Sequence, residues 1–290
     1  MSREIASLVF AAIASLGIAQ AQTAQELVAR AGQGLQHDSA WALYESLREQ
    51  AGGGDRLQWA SLPDWTGIYT KVGGPGYETG RSPGAAPTAR LTPEYQARFN
   101  EARARAAEGD VFDPLSVCAP SGYPRWLSSG YLREFVVTPD QTWMMNETDN
   151  ETRRVYTDGR GHPQPENVYP IVHGDSIGFW DDGRLIVHTN QISAGVYGRN
   201  LLEKSDQLET VEIWQKQGSG DLTVDVWHYD PPVLLEPWHV RHTYELLDDP
   251  DRQMRIRYWY CTENQNNAVY QTEEGGTAYT DLDFLTGDSQ

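Results

Sequence analysis

Between residues 131 and 261 the chain alternates apolar and polar side chains repeatedly, and nothing between these runs has a helical period. Candidate strands fall at 131–138, 141–147, 152–157, 175–180, 184–191, 208–216, 221–229, 238–247 and 253–261. Period two marks a strand with one packed face and one wet face. In the 238–247 run, Trp238, Val240, His242, Tyr244 and Leu246 share one face, and His239, Arg241, Thr243 and Glu245 the other. The last run repeats this, with Met254, Ile256, Tyr258 and Tyr260 against Arg255, Arg257 and Trp259. Tight-turn chemistry separates the runs at Thr138-Pro139-Asp140-Gln141, Asp182-Gly183 and Gly218-Ser219-Gly220-Asp221, with a longer Asp248-Asp249-Pro250-Asp251 turn. Such a series is mainly an antiparallel meander, and this many strands must close or stack to hide their edges.

The first residues set the compartment. Arg3, an apolar run from Ile5 to Ile18 and Ala19-Gln20-Ala21 have the order of a secretory signal peptide with an A-x-A cleavage site. Residues 1–21 are therefore expected to be removed, leaving a periplasmic or secreted protein without an integral membrane span. Residues 22–60 read as a helical segment, broken near Gly32–Gly34 and stopped at Gly52–Gly54. The barrel domain should occupy 61–270, opening on a strand within 62–72 and carrying a helical insertion near 91–109. There Thr92 suits an N-cap, Pro93 the first helical position and Gly109 the stop. The tail 271–290 is acidic and polar. Net charge is −18, which repels phosphate backbones and argues against a nucleic-acid partner. Cys118 and Cys261, an even pair in an exported chain, suggest one disulfide to the last strand; two buried free thiols are the other reading. The oligomeric state is left open by all of this.

The chemistry concentrates in TRRVYTDGRGHPQP, residues 152–165. Its strand half sets Arg153 and Val155 on one face and Arg154 and Tyr156 on the other. Asp158-Gly159 then starts a turn into a long loop that adds His162, His173 and Asp175. Arginines at a rim can clamp a carboxylate or other anion. His162 or His173, oriented by Asp158 or Asp175, is suited to proton transfer near neutral pH. The same residues equally suit a surface loop pinned by Arg–Asp pairs. Gly174-Asp175-Ser176-Ile177-Gly178 matches G-x-S-x-G, but a strand follows where a nucleophile elbow needs a helix, so Ser176 reads as a strand residue. His162, His173, His188 and Asp175 lack the tight spacing of a metal site, and no cofactor motif is present. His242 is either a core residue or faces a ligand inside the barrel. Trp180 and Trp238 belong to an aromatic complement that lines a cavity or fills a core.

The segments CAPSGYPRWL, EFVVTPDQTWMMNE, RRVYTDGRGHP, HGDSIGFWDDGRLIVHT, VEIWQKQGSGDLTVDV, DPPVLLEPWHV and YWYCTENQNN occur in that order. Together they resemble a large family of exported, functionally uncharacterised bacterial proteins with an R-R-I-Y-x-D-G-R-x-H-P and G-H-S-I-G-x-W pattern, over about 62–268. Asp175 stands where that pattern usually has His, and Gly161 precedes His162 where an aromatic or small residue is common. If the missing His carried a proton, Asp175 would have to serve as base instead. DWTGIY resembles the opening strand of lipocalin-like barrels, with Tyr69 in place of Trp. The resemblances imply a lipocalin-like β-barrel.

Two functions follow. The first is an exported small-molecule-binding barrel. Its ligand would be aromatic or apolar with an anionic or carbonyl end, held by Arg153, Arg154, Arg160, Trp180, Trp238 and His242. The alternative is a cofactor-independent lyase, isomerase or hydrolase. His162 or His173 would be its acid or base, Asp158 or Asp175 the orienter, Tyr156 an acid, and Arg154 or Arg160 the oxyanion stabiliser.

Overall fold

Nine strands close on themselves in the structure, a computed structural model. It describes residues 24–261 except 75, 79–80, 82–84, 111–112, 165, 167–168 and 199–201, together with 269–271 and 277–279. The expected signal peptide and most of the acidic tail lie outside the described residues. The strands are β1 (Ile68–Lys71), β2 (Arg133–Val137), β3 (Gln141–Asn146), β4 (Thr152–Tyr156), β5 (Asp175–Asp181) and β6 (Arg184–Asn190). Two short strands follow, β7 (Gly195–Val196) and β8 (Glu203–Lys204). Then come β9 (Glu209–Lys216), β10 (Leu222–Tyr229) and β11 (Trp238–Leu246), and finally β12 (Val269–Gln271) and β13 (Thr277–Tyr279). The barrel order is β1-β11-β10-β9-β6-β5-β4-β3-β2, while β7–β8 and β12–β13 are separate two-stranded pairs.

The turns work as their residues require. Asp182 and Gly183 both have positive φ, 47° and 74°, as a two-residue hairpin needs. Thr138 N–H donates to Gln141 O at 2.8 Å. The meander has one break: β4 and β5 run parallel, joined through Tyr156↔Ile177. Because the last residue of β4 pairs with the third residue of β5, β5 begins beside the end of β4 and runs on past it.

The expected strand at 253–261 is not formed. β11 is paired on one side by β10 and on the other by β1, so no edge remains for another wall strand. The segment instead lies extended outside the barrel. Arg257 N–H donates to Glu147 Oε1 at 3.1 Å, and Trp259 N–H to Asn150 Oδ1 at 2.8 Å. Tyr258 and Tyr260, placed inward by the alternation, are 79% and 82% exposed. The wall therefore ends at Leu246. Cys118–Cys261 is a disulfide that ties this strap down, not a wall strand. Loop entropy sets a ceiling of about 4–5 kcal/mol on such a bridge. Cys118→Ser should cost less than that, because the untied strap regains freedom in the folded state too. Urea unfolding with and without reductant checks this, and loss of the barrel on reduction would contradict it.

Among the described residues three α-helices accompany the barrel: α1 (24–34), α2 (Ala40–Gln50) and α3 (Pro93–Ala107). Ser39 caps α2, its Oγ accepting from Ala42 N–H at 3.1 Å. α2 lays Ala40, Leu43 and Tyr44 on the outer faces of β5, β6, β9 and β10, against Phe179, Ile186, Ile213 and Trp227. The end of α1 comes so close to the wall that a Cβ on Gly34 would sit 2.5 Å from Trp227 Cδ1. Thr92 occupies the N-cap position of α3, but its hydroxyl donates to Pro232 O at 3.0 Å rather than capping the helix.

The lumen is a second core. At one end Trp65 packs with Trp180, Trp214 and Phe135, and Trp214 stacks on Tyr244 with ring centroids 5.6 Å apart. Tyr77, Tyr197, His228, Trp238 and His242 form another aromatic cluster. Between these lie polar groups.

Candidate functional site

The RRVYTDGRGHP stretch is divided between three places. Arg153 points into the lumen and is 1% exposed. Arg154 points outward, its guanidinium 4.3 Å from the Trp143 ring centroid. Arg160 stays at its own turn: its guanidinium pairs with Asp158 at 2.5–3.0 Å and lies 4.2 Å over the Tyr156 ring. That pairing holds the Asp158 carboxyl below the usual carboxylate range. Tyr156, Asp158 and Arg160 thus form a pinned surface turn, which Arg56 also clasps by donating to Asp158 O at 2.7 Å.

Inside the barrel, Arg153 is completely engaged. Its Nη1 and Nη2 donate to Glu212 at 2.9 and 2.6 Å, its Nε and Nη2 to Ser176 Oγ at 3.2 and 3.0 Å, and Nη2 also to Thr189 Oγ1 at 2.7 Å. Tyr123 O–H and Trp214 Nε1–H each donate to Glu212 at 2.8 Å, and Arg153 lies 4.0 Å over the Tyr123 ring. A buried pair keeps its charges only when its remaining donors and acceptors are met in this way. Ser176 is therefore a buried acceptor on β5 and no nucleophile.

On the outer wall, His162 and Asp175 are brought together, Nδ1 to Oδ1 at 2.5 Å. The chain of contacts runs on from His162 Nε2 to His188 Nδ1 at 2.8 Å, and from His188 Nε2 to Glu209 Oε2 at 3.3 Å. Three hydrogen bonds need three protons, and two neutral imidazoles bring two. The closed chain therefore needs one proton more than the two neutral rings supply. Burial pulls the His188 pKa down, against the pull of Glu209 upward. Trp41 and Tyr44 of α2 pack on His188 with centroids 5.2 and 5.6 Å away. Beside them is a cleft of about 100 Å³ lined by Trp41, Tyr44, Arg56, Gly159 and Arg160. His173 lies apart from this chain. It sits 3.7 Å from Glu151, and burial lowers its pKa to about 4.

The remaining sequence candidates face the lumen. Trp180 is buried with its indole N–H unpartnered among the described residues, while Trp238 donates to Thr88 Oγ1 at 2.9 Å. His242 is 0% exposed, and neither ring nitrogen has a hydrogen-bond partner among the described residues. Tyr77 packs edge-on to it at 5.1 Å, and the Tyr197 hydroxyl, one ring further on, is likewise unpartnered. Burial drives the His242 pKa well down, with Lys71 and His228 adding to the effect. Among the described residues no cluster of His, Cys, Asp and Glu is arranged to hold a metal ion.

Sequence reasoning passed over Glu212, Glu209, Lys71 and Arg133. The first was legible in TVEIWQ, whose alternation sets Thr210, Glu212 and Trp214 on one face. Glu209 lies on the opposite face of the same strand, and its link to His188 follows only from the β6–β9 pairing.

Fold and site together define a closed mixed β-barrel with a hydrogen-bonded, charged lumen and a histidine–carboxylate chain on its outer wall. No family model matches the chain, and no curated protein matches it as a relative.

Proposed function

We propose that this protein is an exported small-molecule-binding barrel whose ligand sits in the lumen against Tyr77, Tyr197, Trp238 and His242. The observation that carries this is His242: an imidazole with both nitrogens buried and unpartnered among the described residues. Buried polar groups are nearly always hydrogen-bonded, and leaving one unmet costs about 1–3 kcal/mol. A ligand bearing a polar end would meet these atoms, and its apolar or aromatic body would suit the surrounding rings. Of the residues first assigned to the ligand, Trp238 and His242 keep that role. Arg153 is neutralised by Glu212, and Arg154 and Arg160 are outside the barrel. The disulfide, and the absence among the described residues of any helix long and apolar enough to cross a membrane, support export. Membership of the exported bacterial family belongs to the same proposal, and the barrel supports it.

The test is a crystal structure of protein purified from its native envelope. Density against His242 and Tyr197 is expected. A lumen holding only side chains and water would overturn the reading. His242→Phe should abolish ligand retention while raising the thermal midpoint of ligand-free protein, because it removes an unmet polar group. A lowered midpoint would mean that the imidazole is a satisfied core residue.

One observation favours the enzyme as a second reading: the Asp175–His162–His188–Glu209 chain beside the outer cleft. There His162 would be the acid or base and Asp175 its orienter. Tyr156, Asp158 and His173 lie outside that chain. Under this reading turnover of a candidate substrate falls in His162→Ala while binding is retained.

A further inference from the structure

The lumen is unevenly charged in a protein whose net charge is −18. Among the buried residues facing inward from the barrel wall, three are cationic, Lys71, Arg133 and Arg153, and one, Glu212, is anionic. Glu212 is taken by Arg153. Glu151, at the rim, accepts from Gly122 N–H at 2.7 Å and from Ser121, so it too is occupied. Lys71 donates to Val72 O and Gly74 O at 3.3 and 3.0 Å; Arg133 donates to Tyr131 O, Trp126 O and Ser129 O at 2.6–3.0 Å and lies over the Trp126 and Tyr244 rings at 5.1 and 4.7 Å, so no carboxylate bonds to either cation in the contacts described.

The register brings these groups together. Arg133 pairs with Tyr69 across β2 and β1, and Lys71 with Tyr244 across β1 and β11. Lys71 is therefore the diagonal, same-face neighbour of both Arg133 and His242. Such neighbours lie about 7–8 Å apart at the backbone, within reach of long side chains. Three donors face the lumen from adjacent strands: Arg133 Nε–H, which is unpartnered among the described residues, one proton of Lys71 Nζ, and one ring N–H of His242. Two uncompensated cations and only three spare N–H groups suit the two oxygens of a carboxylate better than the three of a phosphate monoester.

Resting on the small-molecule reading, we infer that the lumen ligand is a carboxylate, its anionic end held by Lys71, Arg133 and His242 and its apolar or aromatic body lying along Tyr77, Tyr197 and Trp238. The anion site is thus on β2, β1 and β11, apart from the arginines of the RRVYTDGRGHP stretch, which stand on β4 and the turn after it.

The experiment is calorimetric titration of the mature protein with benzoate, cinnamate and indole-3-acetate, each beside its methyl ester. The acids should bind about tenfold or more tightly than the esters, the loss expected when charge-assisted hydrogen bonds are removed. Lys71→Met should erase that preference. Lys204→Met, which removes a buried lysine outside the site, should keep it. Esters binding as well as acids, or a preference that survives Lys71→Met, would overturn the carboxylate site and leave the small-molecule reading standing. So would a neutral molecule recovered from natively purified protein. If neither series binds and native protein yields no small molecule, the binding reading fails as well.

Discussion

Glu212→Ala is expected to destabilise the barrel by about 3–5 kcal/mol, because it strands the Arg153 guanidinium in the lumen without a counter-charge. Trp214 Nε1–H loses its acceptor in the same step, and the Tyr123 hydroxyl keeps Thr210 Oγ1, 2.7 Å away, as its remaining partner. Most of this cost belongs to the charge left behind, not to the attraction that is lost. The double variant Arg153→Met/Glu212→Leu should therefore recover much of the loss, since replacing both members of a buried pair with apolar groups is often neutral. Urea unfolding of the two single variants and the double variant checks this. Two losses that simply add would show that the pair is not the unit described here.

Acid should unfold the protein from a higher pH than its carboxylates alone would require. Burial lowers the pKa of His228 to about 3 and of His173 to about 4, and pushes His242 well down as well. These rings are neutral in the folded chain, whereas in the unfolded chain they take up protons below about 6.5. Their contribution is complete above that pH and is lost as pH falls towards the folded values, because the unfolded state binds more protons throughout that window. A tenfold loss of proton affinity on folding corresponds to about 1.4 kcal/mol, so a completely buried ring such as His228 makes stability fall steeply with pH across this window. Glu151 and Asp230, whose carboxyls burial pushes up, offset part of this. Near-ultraviolet circular dichroism against pH should show loss of aromatic packing between about pH 6 and 4. His228→Gln, which keeps a hydrogen-bonding side chain but does not titrate, should move that transition to lower pH. An unmoved transition would assign the acid sensitivity elsewhere.

The strand pattern was most legible where a wall strand has a wet face and a packed one, as β3 and β11 do, whereas β5, β6, β9 and β10 are buried on both faces under α2 and were bounded by their turns. The same pattern misled at 253–261. Met254, Ile256, Tyr258 and Tyr260 alternate as wall residues do, and only the closure of β11 onto β1 denies them a place. Arg153 and Arg154 were correctly set on opposite faces, but which face was inward depended on neighbours far along the chain. His162 and Asp175 were readable as partners because one loop carries both. The extension to His188 and Glu209 required the sheet order. Lys71 and Arg133 were passed over because nothing in the order of residues marks a cation in a short strand as buried.

The wall is unequally laced. Most neighbouring strands share a run of paired residues, whereas β4 and β5 meet at Tyr156↔Ile177 alone. Arg153 stands on β4, and its bonds reach Ser176 on β5, Thr189 on β6 and Glu212 on β9. One side chain thus rivets four staves together across the joint that the backbone leaves slack. Any breathing of the cylinder, and any passage for a guest through its side, would begin by drawing that rivet.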